Sequence, residues 1–343
     1  MDPITQGLLG AAFAIAFSKR ERIKTAAICG ALGGIAPDID ILIRSSVDPL
    51  IALEFHRHFT HAIAFIPIGG LIVALAIYHI LWLKTPFKII YIFTTIGYAT
   101  HGLLDSCTSY GTYLYWPFSD ERVSWNIISI IDPILTSILL ISFILCMVRK
   151  SLISIRIGLF LSLAYLAMGF TKHYIINDYI HEIAENKGHK AERILLNPTI
   201  GNNLLWRTIY QYNGTYYINA VHFSIFDTPK IYEGKQVKVI DEETIFPSLT
   251  KTSKQREDIR RFSKFSQGYI YQHPDKKNTI SDLRYGILPY DDKSLWGIDI
   301  NIEAPNNHVE FKNLRAVKDR HLDEFWMMLN GNFPENDVVN LKN

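Results

Sequence analysis

Apolar residues dominate the chain up to about residue 170, whereas polar and charged residues alternate with apolar ones beyond it. A helix that crosses the hydrocarbon of a bilayer needs roughly 20 mostly apolar residues. Four stretches reach or approach this length: 61–83, 87–105, 127–148 and 152–170. The pattern therefore predicts a mainly α protein whose first part, residues 1–170, is a polytopic membrane helical bundle.

Two shorter apolar runs, 4–17 and 25–36, precede these stretches and are rich in glycine and alanine. Gly30 and Gly34 in the second run have the small-xxx-small spacing that lets membrane helices approach closely. We therefore expect a tightly packed helical pair. The bundle then has about four to six membrane helices, depending on whether both short runs cross fully.

The alternation after residue 170 is typical of half-buried strands. It is clearest in three segments: 216–223, 236–240 and 295–302. Residues 173–193 and 316–330 have the pattern of polar amphipathic helices instead. We predict a polar, soluble α+β domain over residues 171–343.

Lysine and arginine in the loops predict the orientation of the bundle, because positively charged loops stay on the cytoplasmic side. If all six segments cross, the loops 18–25, 84–88 and 149–156 lie on one side and carry the following basic residues: Lys19, Arg20, Arg22, Lys24, Lys84, Lys88, Arg149, Lys150 and Arg156. The opposite loops carry Arg44, Arg57 and Arg122. The bias places the C-terminal domain outside the cytoplasm.

Charge and cysteine content exclude several classes of protein. The formal net charge is +2 and no basic stripe with interleaved aromatic residues is present, so no nucleic-acid partner is expected. The three cysteines, Cys29, Cys107 and Cys146, indicate neither a disulfide framework nor a cysteine-based zinc cluster. Asp2, rather than a basic segment, precedes the first apolar run, so a cleavable signal peptide is not expected.

Ionisable residues interrupt the apolar half, where they are costly unless they are paired, metal-bound or functional. His101 and Asp105 stand four residues apart near the end of the 87–105 stretch, which places both on one face of a helix. An imidazole and a carboxylate together suit zinc, and also manganese or iron. A His–Asp hydrogen bond that closes the helix end is an equally good explanation of this pair alone.

Three histidines, His56, His58 and His61, lie directly before an apolar stretch. Thr60 is a typical N-cap residue, so we expect His61 in the first turn of a helix and the other two in the preceding loop. A loop ligand and a helix ligand can close around one ion, and one histidine would be a bystander. Arg57 could bind an anionic substrate. The alternative is a histidine cluster that contacts lipid headgroups.

Asp38 and Asp40 follow Pro37, which disfavours helix continuation and leaves the two carboxylates in a turn. Carboxylates at this spacing can point the same way and bind a metal ion, although an Asx-turn or N-cap role is a common alternative. Glu54 is a further carboxylate on the same loop and a candidate base.

Two other features have simpler explanations. Asp132 followed by Pro133 is the usual start of a helix, so we interpret Asp132 as an N-cap. An aromatic run is typical of the membrane interface, although it could also line a lipid-facing cleft. It consists of Tyr110, Tyr113, Tyr115, Trp116, Phe118 and Trp125.

These motifs, in this order, resemble the YdjM-like family of membrane-bound, metal-dependent hydrolases. The resemblance covers about the first 210 residues and depends on six blocks: MDPITQGLLGAA at 1–12, GIAPDIDIL at 34–42, FHRHFTHAI at 55–63, HGLLDSCTSYGTYLYWPFSD at 101–120, WNIISIIDPILT at 125–136 and, more weakly, NPTIGNNLLWR at 197–207. It implies a helical integral membrane protein with a divalent-metal site. The family is in turn distantly similar to zinc-dependent phospholipase C and P1-type nucleases, a fold-level analogy that transfers no substrate.

The resemblance also implies which residues form the site. The family's most characteristic positions match His56, His61, His101 and Asp105, followed by Asp38 and Asp40. Two positions depart from the family pattern: His58 stands where glycine is frequent, and Gln6 where histidine is frequent.

Taken together, the sequence predicts a membrane-bound metal-dependent hydrolase, with zinc as the first choice of ion and manganese as the second. Asp40 or Glu54 would accept a proton, and Arg57 would stabilise an anionic lipid or other amphiphilic phosphodiester. Membrane lipids are the expected surroundings, and a bacterial inner membrane the expected location, with the motifs on the extracytoplasmic side. One alternative is a non-enzymatic membrane protein with a structural His/Asp metal site and a partner-binding C-terminal domain. A transporter is a third hypothesis, but the motifs cluster at one face rather than at the midplane.

Overall fold

A computed structural model describes residues 1–81, 85–224, 227–333 and 338–339. The chain forms two compact units. The first unit consists of Met1–Ile43, Phe55–Thr171 and Ile200–Asn202, and the second of Arg44–Glu54, Lys172–Thr199 and Asn203–Asn343. The predicted end of the 61–83 stretch and the loop residue Lys84 lie outside the described residues.

Helices build the first unit around a core of aliphatic and aromatic side chains, among them Ile15, Phe93 and Leu139. The helices of the described chain up to residue 186 are α1 (Pro3–Ala16), α2 (Ile23–Ile35), α3 (Ile51–Phe55), α4 (Ile66–Leu81), α5 (Phe87–Ser106), α6 (Pro133–Arg149) and α7 (Leu152–Asn186). Asp132 caps α6 as predicted, because its carboxylate accepts hydrogen bonds from the backbone N–H groups of Ile134 and Leu135 at 3.0 and 2.9 Å.

Two helices in the described residues are long and apolar enough to cross a membrane. They are Arg20–Leu42, which contains α2 and its flanking 3-10 turns, and Leu152–Asn186. Ile51–His61 and Ile63–His79 form a third candidate span if this pair, bent by 60°, is taken as one. The chain is therefore a membrane protein with a mainly helical first part, and the count of four to six spanning helices stays a prediction.

One helix, α7, replaces the two segments predicted at 152–170 and 173–193. No proline or glycine lies between Thr171 and Asn186, so nothing in the sequence ends the helix where its composition turns polar. Ile176, Ile180 and Ile183 recur at helical spacing and are buried. The amphipathic pattern was thus correctly recognised, but the separate helix and its end at 193 were wrong, because a strand begins at Arg193.

The predicted helix start at Thr60 was also wrong. Phe59–His61 is a 3-10 turn, and α4 begins five residues later at Ile66, with Pro67 in its first turn. Proline suits that turn because its missing N–H would have no partner within the helix. The Thr60 hydroxyl instead donates a hydrogen bond to Asp40 at 2.9 Å.

Helices α1 and α2 form the tightly packed pair that their glycines predict. A Cβ atom on Gly10 would clash with the carbonyl oxygen of Gly30 and lie 3.0 Å from the Cα atom of Gly34. A Cβ atom on Gly30 would in turn clash with the carbonyl oxygen of Gly10. The two backbones are in contact, which is the close approach that small residues permit.

This packing predicts different outcomes for two glycines on α1. We expect Gly10→Ala to destabilise the protein by about 1–3 kcal/mol, because backbone atoms of α2 must move. Gly7→Ala should cost far less, since its Cβ would meet the flexible end of the Ile35 side chain at 2.9 Å. Thermal unfolding of the two variants in the same detergent makes the comparison; equal losses would contradict the close contact at Gly10.

Strands dominate the second unit, which consists of two antiparallel sheets with helices. The first sheet has the order β1-β2-β3-β4-β9 and contains β1 (Arg193–Pro198), β2 (Leu205–Tyr212), β3 (Thr215–His222), β4 (Lys230–Lys238) and β9 (Val338–Val339). The second has the order β5-β6-β7-β8 and contains β5 (Ile270–Gln272), β6 (Thr279–Asp282), β7 (Trp296–Asp299) and β8 (Glu310–Asn313). The remaining helices are α8 (Lys254–Phe265) and α9 (Asp319–Leu329). The predicted α+β character is therefore confirmed.

Candidate metal centre

Four predicted side chains, Asp38, His61, His101 and Asp105, offer ligand atoms that all lie within 4.8 Å of one another. Asp38 lies on the 3-10 helix Ala36–Leu42 that follows α2, and His61 ends the turn Phe59–His61. His101 and Asp105 share one face of α5. The side chains of the two histidines and of Asp105 are fully buried, whereas the Asp38 side chain is 23% exposed.

A glycine in the HGLLD motif allows this convergence. A Cβ atom on Gly102 would clash with the carbonyl oxygen of His61. Because position 102 has no side chain, the turn that carries His61 can rest directly on α5, next to His101. The HGLLD motif therefore supplies two candidate ligands, His101 and Asp105, and its glycine leaves the space that His61 needs to approach them.

Five of the six distances between the four candidate ligand atoms are close to the edge lengths of a small tetrahedron, and the sixth, between the two carboxylate oxygens, is within 4.8 Å. The Nε2 atoms of His61 and His101 are 2.9 Å apart. From Asp38 Oδ1 they are 3.5 and 3.3 Å, and from Asp105 Oδ2 they are 3.3 and 3.5 Å, respectively. An ion with four ligands at 2.0–2.1 Å, the usual length of zinc–nitrogen and zinc–carboxylate bonds, needs ligand separations of about 3.3–3.4 Å.

The outer nitrogen of each histidine faces an acceptor, which determines where the imidazole proton sits. His101 Nδ1 is 2.5 Å from the carbonyl oxygen of Gly34, and His61 Nδ1 is 3.2 Å from Asp40 Oδ2. A carbonyl and a carboxylate can only accept, so we assign the proton of each neutral ring to Nδ1. Both Nε2 lone pairs then point into the same space as two carboxylates, and a cation bound there would offset their mutual repulsion.

Asp40 lies behind this cluster as a support. Its buried carboxylate accepts hydrogen bonds from the backbone N–H of Arg57 at 2.8 Å and from the hydroxyl of Thr60 at 2.9 Å. Its other oxygen is 2.9 Å from Nδ1 of His56. Asp38, Asp40 and His56 also offer a second set of ligand atoms within 4.8 Å, on the more exposed side of the centre.

Arg57 and Gln6 surround Asp105. The Arg57 Nε atom is 3.0 Å from Asp105 Oδ2, and its Nη1 donates a hydrogen bond to Thr108 at 2.9 Å. Gln6 donates from Nε2 to Asp105 Oδ1 at 2.9 Å. Asp105 Oδ2 is buried, yet it accepts no hydrogen bond of normal geometry from the described residues. A buried carboxylate oxygen that pairs with Arg57, accepts no well-aligned hydrogen bond and faces two imidazoles fits a metal ligand.

The chain also matches a known family over this region. The family model described as YdjM inner membrane protein matches residues 1–176, which is more than half of the 343 residues. The chain belongs to this family. The match includes every residue of the candidate centre, whereas the block at 197–207 lies outside it. No curated protein and no solved structure matches the chain.

In this YdjM family member, the predicted site residues have four different placements. Asp38, His61, His101 and Asp105 form the centre, and Asp40 and His56 adjoin it. Arg57, expected to bind substrate, lies buried against Asp105. Glu54 belongs to the second unit, where both of its carboxylate oxygens accept hydrogen bonds from Arg261.

His58 differs from the other histidines of its motif. Its ring lies 4.6 Å from that of Tyr113 and 5.7 Å from that of Trp116, so it packs in an aromatic group. Gln6, Thr60 and Thr108 support the centre in roles that the sequence reasoning did not assign to them. A buried glutamine within the apolar run 4–17 was the available signal for Gln6, whereas threonines are too common to single out.

Proposed function

We propose that this YdjM family member is a membrane-bound metal-dependent hydrolase. The observation that carries the proposal is the convergence of two histidine Nε2 atoms, 2.9 Å apart, with two carboxylate oxygens that lie 3.3–3.5 Å from them. Two histidines and two aspartates form a nitrogen and oxygen donor set that suits zinc best, with manganese as the second choice. A bound divalent ion would supply Lewis acidity and lower the pKa of a water molecule.

Access to the centre supports an amphiphilic substrate. Asp38 is its partly exposed ligand, and the neighbours of Asp38 on the same 3-10 helix are apolar. Ile39, Ile41 and Leu42 are 65%, 61% and 65% exposed. In a membrane protein, exposed aliphatic side chains beside a polar site favour entry of a lipid or another amphiphilic phosphodiester.

His56 is better placed than Glu54 to transfer a proton. Asp40 holds Nδ1 of His56, so the opposite ring nitrogen remains for proton exchange, and the side chain is 25% exposed. Asp40 thus orients the imidazole, as carboxylates do for catalytic histidines. Glu54 instead neutralises Arg261 in the second unit. Arg57 balances the charge of Asp105.

The test is hydrolysis by the purified full-length protein in lipid nanodiscs, loaded with zinc or with manganese. Phospholipids of defined headgroup and a water-soluble phosphodiester serve as substrates. We expect His56→Ala to lower the rate by about 10²–10⁴-fold, the usual contribution of general acid–base catalysis, while metal content stays unchanged. His58→Ala is the matched control from the same motif, and it should retain activity.

Other outcomes of this experiment have distinct meanings. Loss of metal from His56→Ala would make His56 a ligand rather than a proton-transfer residue. A metal-loaded protein that hydrolyses none of the substrates would favour the second candidate function, a structural metal site in a non-enzymatic membrane protein. The observation in favour of that candidate is the closed set of four protein ligands with three side chains fully buried, as is usual for structural zinc.

We further propose that the centre and the second unit lie on the extracytoplasmic side of a bacterial inner membrane. The family and the apolar helices support the membrane location, and the loop charges support the orientation. A C-terminal reporter fusion that is active only in the cytoplasm would overturn the orientation.

A further inference from the structure

We propose that Arg261 is a positioning residue for the metal centre, because it clamps the loop Arg44–Glu54, which ends in the short helix α3 and joins two ligand-bearing segments. The Arg261 clamp consists of the guanidinium of Arg261 and the carboxylates of Asp48, Glu54 and Asp258. All four belong to the second unit. The proposal rests on the proposed metal site and adds a way in which the C-terminal part of the chain controls it.

Arg261, on α8, uses all of its nitrogen atoms in the clamp. Its Nε and Nη2 atoms donate to the two oxygens of Glu54 at 2.6 and 2.8 Å, a bidentate arrangement. Nη2 is also 2.9 Å from Asp48 Oδ2. Nη1 donates to Asp258 Oδ1 at 2.7 Å. Bidentate and charge-assisted hydrogen bonds are the strongest and most directional that side chains form.

The clamp has a rigid base. Asp258 is fully buried, and its second oxygen accepts the backbone N–H of Val309 at 3.0 Å and lies 2.9 Å from Nδ1 of His308. The side chains of Arg261, Asp48 and Glu54 are 18%, 15% and 35% exposed, so solvent screens the contacts to Asp48 and Asp258 less than a surface ion pair and the contact to Glu54 more than these two. Three carboxylates thus share one guanidinium, which is the charged partner common to all of them.

The ionisation of these groups agrees with this geometry. Hydrogen bonds to Glu54, Asp48 and Asp258 raise the pKa of Arg261 above its usual value, although burial opposes this. Burial raises the pKa of Asp48, but the hydrogen bonds from Arg261 and from the Leu50 N–H, together with the nearby positive charge, outweigh it and hold that pKa below its usual value. The pair of Arg261 and Asp48 is therefore charged at neutral pH.

The clamped loop connects residues of the metal centre along the chain. It begins directly after the segment that holds Asp38 and Asp40, and it ends at Glu54, two residues before His56. Within the loop, Asp48 Oδ1 accepts the backbone N–H of Leu50 at 3.0 Å, and Leu50 is 1% exposed. Contacts at Asp48, Leu50 and Glu54 thus restrict most of its length.

Because the clamp already restricts this loop, less conformational entropy is lost when Asp38 and His56 take up the positions that ion and substrate require. Arg261 lies outside the range of the family match, which ends at residue 176. We infer that the C-terminal part of this chain contributes to the centre by immobilising the loop rather than by supplying a ligand.

The experiment compares Arg261→Ala with Arg260→Ala in the full-length protein in nanodiscs. Arg260 is the adjacent residue on α8 and pairs with Glu243 at 2.5 and 2.7 Å, so its removal also deletes a bidentate salt bridge. Hydrogen–deuterium exchange of the 44–56 segment and competition with a zinc chelator are measured. For Arg261→Ala we expect exchange about tenfold faster or more and zinc binding about tenfold weaker. Arg260→Ala should match the wild type in both.

Glu54→Gln removes the loop's carboxylate from the clamp and leaves α8 intact. This variant therefore tests the clamp even if Arg261→Ala fails to fold. It should accelerate exchange in the same segment, and its effect should not add to that of Arg261→Ala, because both remove one interaction. Unchanged exchange and unchanged zinc affinity in both variants would overturn the clamp. If the wild type binds zinc but hydrolyses nothing, the proposed function fails, and zinc affinity and exchange rates still test the clamp. If the wild type binds no zinc, the exchange rates alone show whether Arg261 restrains the loop.

Discussion

His101→Ala and Asp105→Ala are each expected to release the metal ion from the purified, membrane-inserted protein. Each variant removes one of four candidate ligand atoms that all lie within 4.8 Å of one another. Substitution of an outer-shell partner already weakens metal binding by 10–100-fold, so loss of a direct ligand should weaken it by at least about 100-fold. Elemental analysis and competition with a zinc chelator measure this effect, and hydrolytic activity should disappear in parallel.

The two variants differ in what else they disturb. Asp105→Ala leaves the buried Arg57 without its nearest carboxylate, so this variant should also lose stability. His101→Ala leaves no unpaired charge and is the cleaner probe. His79→Ala, at an exposed histidine on α4, is the control for removing an imidazole. If the His101→Ala variant elutes as a folded protein in size-exclusion chromatography and still carries a full complement of metal, the assigned ligand set is contradicted.

Asp40→Ala is expected to destabilise the protein by roughly 3 kcal/mol or more. Its buried carboxylate accepts hydrogen bonds from Arg57 and Thr60 and faces the ring nitrogens of His56 and His61. Each buried donor left without an acceptor costs about 1–3 kcal/mol. Denaturant unfolding in a constant detergent concentration measures the loss, with Asp120→Ala at an exposed site in the same unit as the control.

Asp40→Asn separates the two roles of this carboxylate. The amide keeps the shape and one acceptor oxygen, so the free energy of unfolding should fall less than in Asp40→Ala. The amide cannot hold the imidazoles of His56 and His61 as a carboxylate does, so zinc affinity should still fall by about 10–100-fold. A variant with wild-type affinity would show that Asp40 does not orient His61.

The sequence predicted those parts of the fold that depend on local pattern. Apolar runs identified the helices, and Asp132 with Pro133 identified the start of α6, since capping is a contact between near neighbours. The start of α4 was wrong because Thr60 is recruited by Asp40, twenty residues away, and a tertiary contact of this kind leaves no local mark. The end of α7 was wrong because polar composition alone does not stop a helix.

In the candidate centre, too, local sequence patterns could be interpreted, whereas contacts between distant residues could not. His101 and Asp105 could be paired by their helical spacing. The three histidines of FHRHFTH could not be assigned to roles, because they differ only in distant partners: His61 faces His101, His56 faces Asp40, and His58 packs on Tyr113. Glu54 was named as a base from its position in the loop, whereas its partner Arg261 lies 207 residues further along the chain.

The continuity of α7 affects how this protein can be divided for study. Its 35 residues correspond to about 52 Å of helix, well beyond the roughly 30 Å of a hydrocarbon core. A truncation at residue 170, where the composition changes, or at 176, where the family match ends, would cut through the middle of this helix and leave its last four carbonyl groups without partners. A shortened protein intended to keep the helical portion intact should therefore stop no earlier than Asn186.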